Sequence, residues 1–238
     1  MHEYYAKNRA KFKKTMNRYL VLISKEMEQL TGKPYAELFE SIWTFYEENL
    51  LEKFPYIGGD EASGTGNLTG AYYFIAMGEV LKEYHISVEK SGYLMVLSYQ
   101  RTTQKLPGIA KSMMQFLIKH PSLLRKLFQK KDRKNARIAA KYPGSFETET
   151  LVSPKEGAVF TYHTLVCPLS DFARKYGYEE YMPYICNLDY VMFGELDVPL
   201  YRTHTCFSDG DYCDFSVRPE DKILDSWPPV FQQGKGCK

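Results

Sequence analysis

Tyr201-Arg202-Thr203-His204-Thr205-Cys206-Phe207, then Ser208-Asp209-Gly210-Asp211, then Tyr212-Cys213-Asp214-Phe215-Ser216-Val217 is the most informative stretch of this chain. Two β-branched and aromatic runs flank an Asp-Gly dipeptide, which is the strongest short-range hairpin signal. A register centred on that turn sets Cys206 against Cys213, His204 against Phe215 and Arg202 against Val217. Strand alternation then puts Arg202, His204, Cys206 and Cys213 on one face and Thr203, Thr205, Tyr212 and Asp214 on the other. One surface would carry a fixed cation, an imidazole and two thiols. The plain reading of the same pattern is a buried cysteine pair packed as small apolar groups.

Two more strands precede the hairpin, at 146–151 and 158–165, with a short helix at 168–176 and a longer one at 179–194. These elements predict an antiparallel sheet of about four strands with two helices. Before residue 143 the periodicity is helical, with helices expected at 4–30, 68–84, 87–104, 107–120 and 121–141, and one more after Pro34. The fold class is therefore α+β, with a helical part (1–142) packed on a sheet-bearing part (143–238) that holds the candidate site. Charge divides at the same place. Residues 1–142 carry 23 Lys/Arg against 14 Asp/Glu, a balance of +9, and residues 143–238 carry 8 against 15, a balance of −7, which together give the net +2.

Composition excludes several classes. Hydrophobic residues at 44% and charged residues at 25% are globular values and rule out a disordered or collagenous chain. The longest apolar run, Ala71-Tyr72-Tyr73-Phe74-Ile75-Ala76-Met77, falls far short of the ~18–20 residues of a membrane-spanning helix. The polar start, Met1-His2-Glu3-Tyr4-Tyr5, lacks the apolar segment of a secretion signal. A cytoplasmic protein with no membrane partner is the expectation. Five cysteines (Cys167, Cys186, Cys206, Cys213 and Cys237), odd in number and without a close pair, fit reduced thiols rather than a disulfide framework. The tail from Trp227 is expected to be loosely ordered.

Two segments invite sharper readings and do not sustain them. The glycine-rich stretch from Gly58 to Gly70 has no strand before it and no Gly-Lys-Ser/Thr after it, so it reads as a flexible helix connection or lid rather than a phosphate loop. Residues 119–141 hold nine Lys/Arg and one acid, Asp132. Few aromatics accompany them, so nucleic acid is not an expected partner and a solvated helix docked on the acidic half is favoured.

Local chemistry singles out three positions outside the hairpin. Cys167 closes a strand just before Pro168 opens a helix, where exposed N–H groups favour a thiolate. Cys186 and Asp189 are three residues apart and share a helical face.

The pieces Cys167-Pro168-Leu169, Gly177-Tyr178-Glu179-Glu180-Tyr181-Met182-Pro183, Cys186-Asn187-Leu188-Asp189, Arg202-Thr203-His204-Thr205 and Gly210-Asp211-Tyr212-Cys213-Asp214-Phe215 together resemble the L-2-amino-thiazoline-4-carboxylic acid hydrolase family over about residues 158–218. The Gly-x-x-Cys-x-Phe ending also bears a looser similarity to the 4-vinyl reductase type of small-molecule-binding domain. Cys206 departs from the family pattern, which has an aliphatic residue there. The resemblance implies a hydrolase that opens a cyclic amidine or isothiourea at a C–N bond by adding water. Residue type and expected proximity fit that chemistry with catalytic candidates Cys167, Cys186, Asp189, Cys213 and His204, the three cysteines competing as nucleophile, and with Arg202, Asp214 and His163 as substrate-binding candidates. Asp189 would pair with a protonated amidine, Arg202 would grip a substrate carboxylate, and a histidine would shuttle protons. No cofactor is called for. The expected partner is a small carboxylate-bearing heterocycle, and homo-oligomerisation stays open. Two other readings compete: a zinc-dependent hydrolase with Cys206, Cys213, His204 and either Asp189 or Cys186 as ligands, and a non-enzymatic small-molecule sensor.

Overall fold

The computed structural model describes residues 1–208 and 211–223. Helices α1 (Glu3–Leu20), α2 (Ser24–Thr31), α3 (Tyr35–Phe45), α4 (Ser63–Lys82), α5 (Val88–Thr103), α6 (Gly108–Lys119) and α7 (Pro121–Lys141) come first. Then follow β1 (Glu147–Thr150), β2 (Phe160–Val166), α8 (Pro168–Tyr176), α9 (Met182–Glu195), β3 (Leu200–Tyr201) and β4 (Cys213–Val217). The strands form one antiparallel sheet in the order β1-β2-β4-β3, so the architecture is α+β as the sequence predicts.

The apolar run of residues 71–77 lies in the middle of α4, where Tyr72, Tyr73, Ile75, Ala76 and Met77 are all buried. A helix that is apolar on every side must be surrounded, and α4 is. Met16 and Leu20 of α1, Ile42 and Trp43 of α3, Leu94 and Met95 of α5, Phe172 of α8 and Ile185 of α9 share its core. Each such large side chain taken out of water contributes about 1.5–3 kcal/mol. This core spans the composition break at residue 142. Among the described residues no helix is long and apolar enough to cross a membrane.

Three local expectations are corrected. The helix expected over 4–30 is interrupted by a tight turn at Val21–Ile23, where Ser98 and Arg101 of α5 donate to the carbonyls of Tyr19 and Leu22. The loop expected from Gly58 to Asn67 is mostly helix, because α4 begins at Ser63. Gly64 serves close approach rather than flexibility: a Cβ there would sit 2.2 Å from the Phe146 ring. The third correction concerns the hairpin. Leu200 pairs with Val217 and Tyr201 with Ser216, two residues away from the turn-centred register, and β3 ends at Tyr201. The Asp214 carboxylate is the cause. It accepts from the backbone N–H groups of Thr203 and His204 at 2.8 and 2.5 Å and from the Thr203 hydroxyl at 2.7 Å, replacing ladder partners and diverting the chain. The Asp209-Gly210 turn, Cys237 and the tail from Trp227 lie outside the described residues.

Candidate active site

A cavity of about 320 Å³ lies between the inner face of the sheet and helices α4, α7 and α9. That volume is at the small end of ligand pockets, roughly 300–1,000 Å³. The α4 wall is made of small residues. Gly66 and Gly70, one turn apart, both line the cavity, and a Cβ on either would meet nothing within 4 Å. Their missing side chains are the room. Opposite them, alternation along the sheet directs Tyr162 and Thr164 of β2 and Cys213 and Phe215 of β4 inward.

The charged centre comes from α9 and the segment after β3. Arg202 donates from Nη1 to Asp189 Oδ2 at 2.9 Å and from Nη2 to Asn187 Oδ1 at 2.8 Å. Its guanidinium also stands over the rings of Tyr190 and Phe215, 5.1 and 5.5 Å from their centroids. Only 3% of the Arg202 side chain is accessible, against 45% for Asp189. The cation is therefore sealed behind the carboxylate, and the carboxylate opens on the cavity. Burial raises the Asp189 carboxyl above the ordinary value, and Arg202 and then Lys131 partly offset it. Arg202 is raised in turn: burial opposes its charge, and Asp189, Tyr190, Cys186 and Cys213 together outweigh it.

Three thiols, Cys167, Cys186 and Cys213, line the same cavity. The N–H groups of Ser170 and Leu169 at the start of α8 act on Cys167 in the direction the sequence suggests. Burial is the larger effect, and the thiol is pushed up to about 12. Cys213 is raised further by its hydrogen bond with Cys206 and by burial. Both are neutral thiols near pH 7. Cys186 sits one turn before Asp189 on the face of α9 that borders the cavity.

Lys131 and Asn135 reach the cavity from α7. The lone acid of that helix explains their aim. Asp132 accepts from the Thr148 hydroxyl at 2.7 Å and from the Thr150 N–H at 2.9 Å, while Asn135 donates to the same hydroxyl at 2.9 Å. These bonds pin α7 to β1 and turn Lys131 inward. Its Nζ stands 5.4 and 5.9 Å from the centroids of Phe128 and Tyr162. Burial lowers its pKa, with Asp132 and Asp189 opposing.

Five of the eight residues singled out in the sequence thus meet in one cavity: Cys167, Cys186, Asp189, Arg202 and Cys213. His163, His204 and Asp214 do not line it. They belong to the other face of the sheet, where Tyr212 packs on the rings of both histidines and Lys155 donates to Asp214 at 2.8 Å. His204 leaves the face expected for it because the Asp214 carboxylate diverts the chain after Tyr201. Cys206 lies behind Cys213, with its N–H 3.2 Å from the Cys213 sulfur and its own sulfur 3.2 Å from the Thr164 carbonyl. The Cys206, Cys213 and His204 ligand set is therefore not assembled, and among the described residues no three His, Cys, Asp or Glu side chains are grouped to hold a metal ion.

The model of the family described as L-2-amino-thiazoline-4-carboxylic acid hydrolase matches residues 93–217, just over half of the chain. The chain belongs to this family. The match confirms the resemblance drawn from residues 158–218 and extends it through α6 and α7 into α5, helices in which no motif was legible. The looser likeness to the 4-vinyl reductase type gains no support from it. No curated protein and no solved structure matches the chain. Lys131, Asp189, Arg202 and the three cavity thiols all fall within the hydrolase-family segment, whereas Gly66 and Gly70 fall outside it.

Sequence reasoning missed Lys131 and Asn135. A signal for them exists: Leu124, Phe128, Lys131, Asn135 and Ile138 follow the three- and four-residue steps of one helical row. Two polar residues interrupting that inward row mark something the core does not need.

Proposed function

We propose that this cavity hydrolyses a cyclic amidine or isothiourea such as a 2-amino-thiazoline carboxylate, adding one water to the ring carbon between sulfur and nitrogen. The observation that carries the reading is the Asp189 carboxylate, accessible to the cavity, backed by a sealed Arg202 and one turn from a cavity-lining thiol. Asp189 accepts hydrogen bonds from the protonated amidine and keeps its carbon electrophilic. The Cys186 sulfur adds to that carbon, with Arg202 within electrostatic reach of it. The tetrahedral adduct collapses with opening of one ring bond. Water then adds to the enzyme-bound carbon, Asp189 takes its proton, and the Cys186 thiolate leaves with a carbamoyl product formed. The C–N cleavage expected from the sequence keeps the product's sulfur in a thiocarbamate. C–S cleavage frees a thiol, so a thiol reagent reads which bond opens.

Cys167 and Cys213 are held as neutral thiols, which favours a second route in which Asp189 activates water directly. A panel of thiazoline and cyclic amidine carboxylates, read by mass spectrometry for gain of one water, tests the activity. Asp189→Asn is expected to lose roughly 10²–10⁴-fold in kcat, the usual contribution of a positioned acid–base group. Cys186→Ala separates the routes: loss of turnover favours the covalent one, and full turnover the direct one. Full turnover by both variants would remove the site from the reaction. Binding without conversion would place the chain among small-molecule sensors.

A further inference from the structure

We infer that Lys131 forms a carboxylate-binding subsite of the cavity, so that the ligand is a zwitterion with its amidine-type cation at Asp189 and its carboxylate at Lys131. The inference rests on the proposed role of Asp189 and names the group that the opposite end of the ligand meets. Arg202, the anchor expected from the sequence, is unsuited to that task. Its two terminal nitrogens are engaged by Asp189 and Asn187, and 3% of its side chain is accessible. Lys131 differs on each count. It is an exposed residue that lines the cavity, and its Nζ has no hydrogen bond or ion pair among the described residues.

What holds the amine is geometry without charge neutralisation. Asp132, beside it in sequence, directs its carboxylate to Thr148 and Thr150 of β1, and the rings of Phe128 and Tyr162 flank the ammonium. Lys131 and Asp189 line one cavity and feel each other's charge, yet they do not meet as an ion pair. Opposite charges kept apart across a small cavity define a complementary ligand: a short molecule carrying a cation and an anion at its two ends. An ammonium supplies a carboxylate with a point charge and several donors, which is sufficient for an anchor.

Calorimetric titration of the full chain with 2-amino-thiazoline-4-carboxylate and with 2-aminothiazoline lacking the carboxylate tests the inference. Wild type should bind the carboxylate ligand more tightly by roughly 10- to 100-fold, the usual strength of a charge-assisted contact. Lys131→Met should erase that advantage and leave affinity for the decarboxylated ligand unchanged, while Lys131→Arg restores part of it. An advantage that survives in Lys131→Met, or its absence in wild type, overturns the inference. Turnover separates the two claims. Hydrolysis with unchanged KM in Lys131→Met rejects the subsite and keeps the hydrolase. A Lys131-dependent carboxylate preference without hydrolysis keeps the subsite and rejects the hydrolase.

Discussion

Replacing Arg202 with methionine tests how the charged centre is held. The variant keeps much of the side-chain volume and removes the donors to Asp189 and Asn187 at 2.9 and 2.8 Å. Losing one partner of a buried ion pair costs about 3–5 kcal/mol. Asp189 keeps 45% of its side-chain surface open to the cavity, so water takes over part of its solvation and the expected loss is near the lower end, about 3 kcal/mol. At about 2–4 °C per kcal/mol for a chain of this size, the midpoint of thermal unfolding falls by roughly 6–12 °C. The pH dependence is more diagnostic than the size. Burial already raises the Asp189 carboxyl above its unfolded value, and removing Arg202 raises it further. A raised carboxyl binds its proton more tightly in the folded state, so its ionisation destabilises the fold as pH rises through the folded value. The deficit of Arg202→Met relative to wild type is therefore largest at neutral and alkaline pH and shrinks toward the acid range, where Asp189 is neutral. Adding Asp189→Asn to the same chain should recover most of it. Urea unfolding of the two variants and wild type at several pH values measures this. A deficit equal at every pH and unrelieved by Asp189→Asn would refute the reasoning.

Two further expectations concern the groups around the centre. Cys167 and Cys213 should alkylate slowly near pH 7 and faster as pH climbs toward 12, the value to which burial pushes Cys167, as mass-spectrometric mapping of iodoacetamide adducts would report. Asp214→Ala removes a fully buried carboxylate that holds Thr203, His204 and Lys155, at a cost of about 3–5 kcal/mol in urea unfolding. Burial alone would raise that carboxyl, but the hydrogen bonds from Lys155, His204 and Thr203 outweigh it and hold it below the ordinary value. Its contribution is present above the unfolded value and lost as pH falls through the folded one, so wild type and the milder Asp214→Asn should converge in acid.

The sequence makes the helices and strands legible because their periodicities are set by backbone geometry, and the boundary of α7 at Pro121 and Lys141 is read without error. It is silent where a side chain competes with the backbone. Nothing in the alternation of residues 201–207 announces that Asp214 will take the N–H groups of Thr203 and His204, and that one carboxylate moves the register and carries His204 away from Arg202. Glycine misleads in the same way. Gly64 and Gly66 read as a loop by composition, yet they lie in α4, where the missing side chain of one makes way for the Phe146 ring and that of the other leaves open space. In the site, Cys186 and Asp189 are legible as neighbours on one helix, whereas Lys131 is hidden by eight other cations in residues 119–141. Only its position in the inward row, not its residue type, sets it apart.

The charge break at residue 142 acquires a meaning from the cavity. A basic helix and an acidic helix–sheet unit need not be complementary in order to attract; surface attraction alone would be weak and screened by salt. Here α7 is held to β1 by one acid, Asp132, and the cation beside that acid has no ion-pair partner among the described residues and faces the cavity that the acidic half closes. The pairing that a stability argument would predict, Lys131 with Asp189, is withheld. A cation left without a protein counter-charge adds little to the fold and is free to serve recognition, the proposed ligand supplying the counter-charge. The room for that ligand comes from elsewhere, from Gly66 and Gly70 on α4. Chemistry and space are thus carried by different segments: the charges and thiols by residues 131–213 and the space by α4. On the proposed function, a change at Gly66 or Gly70 would therefore alter which substituents fit without altering the charged groups assigned to the ring.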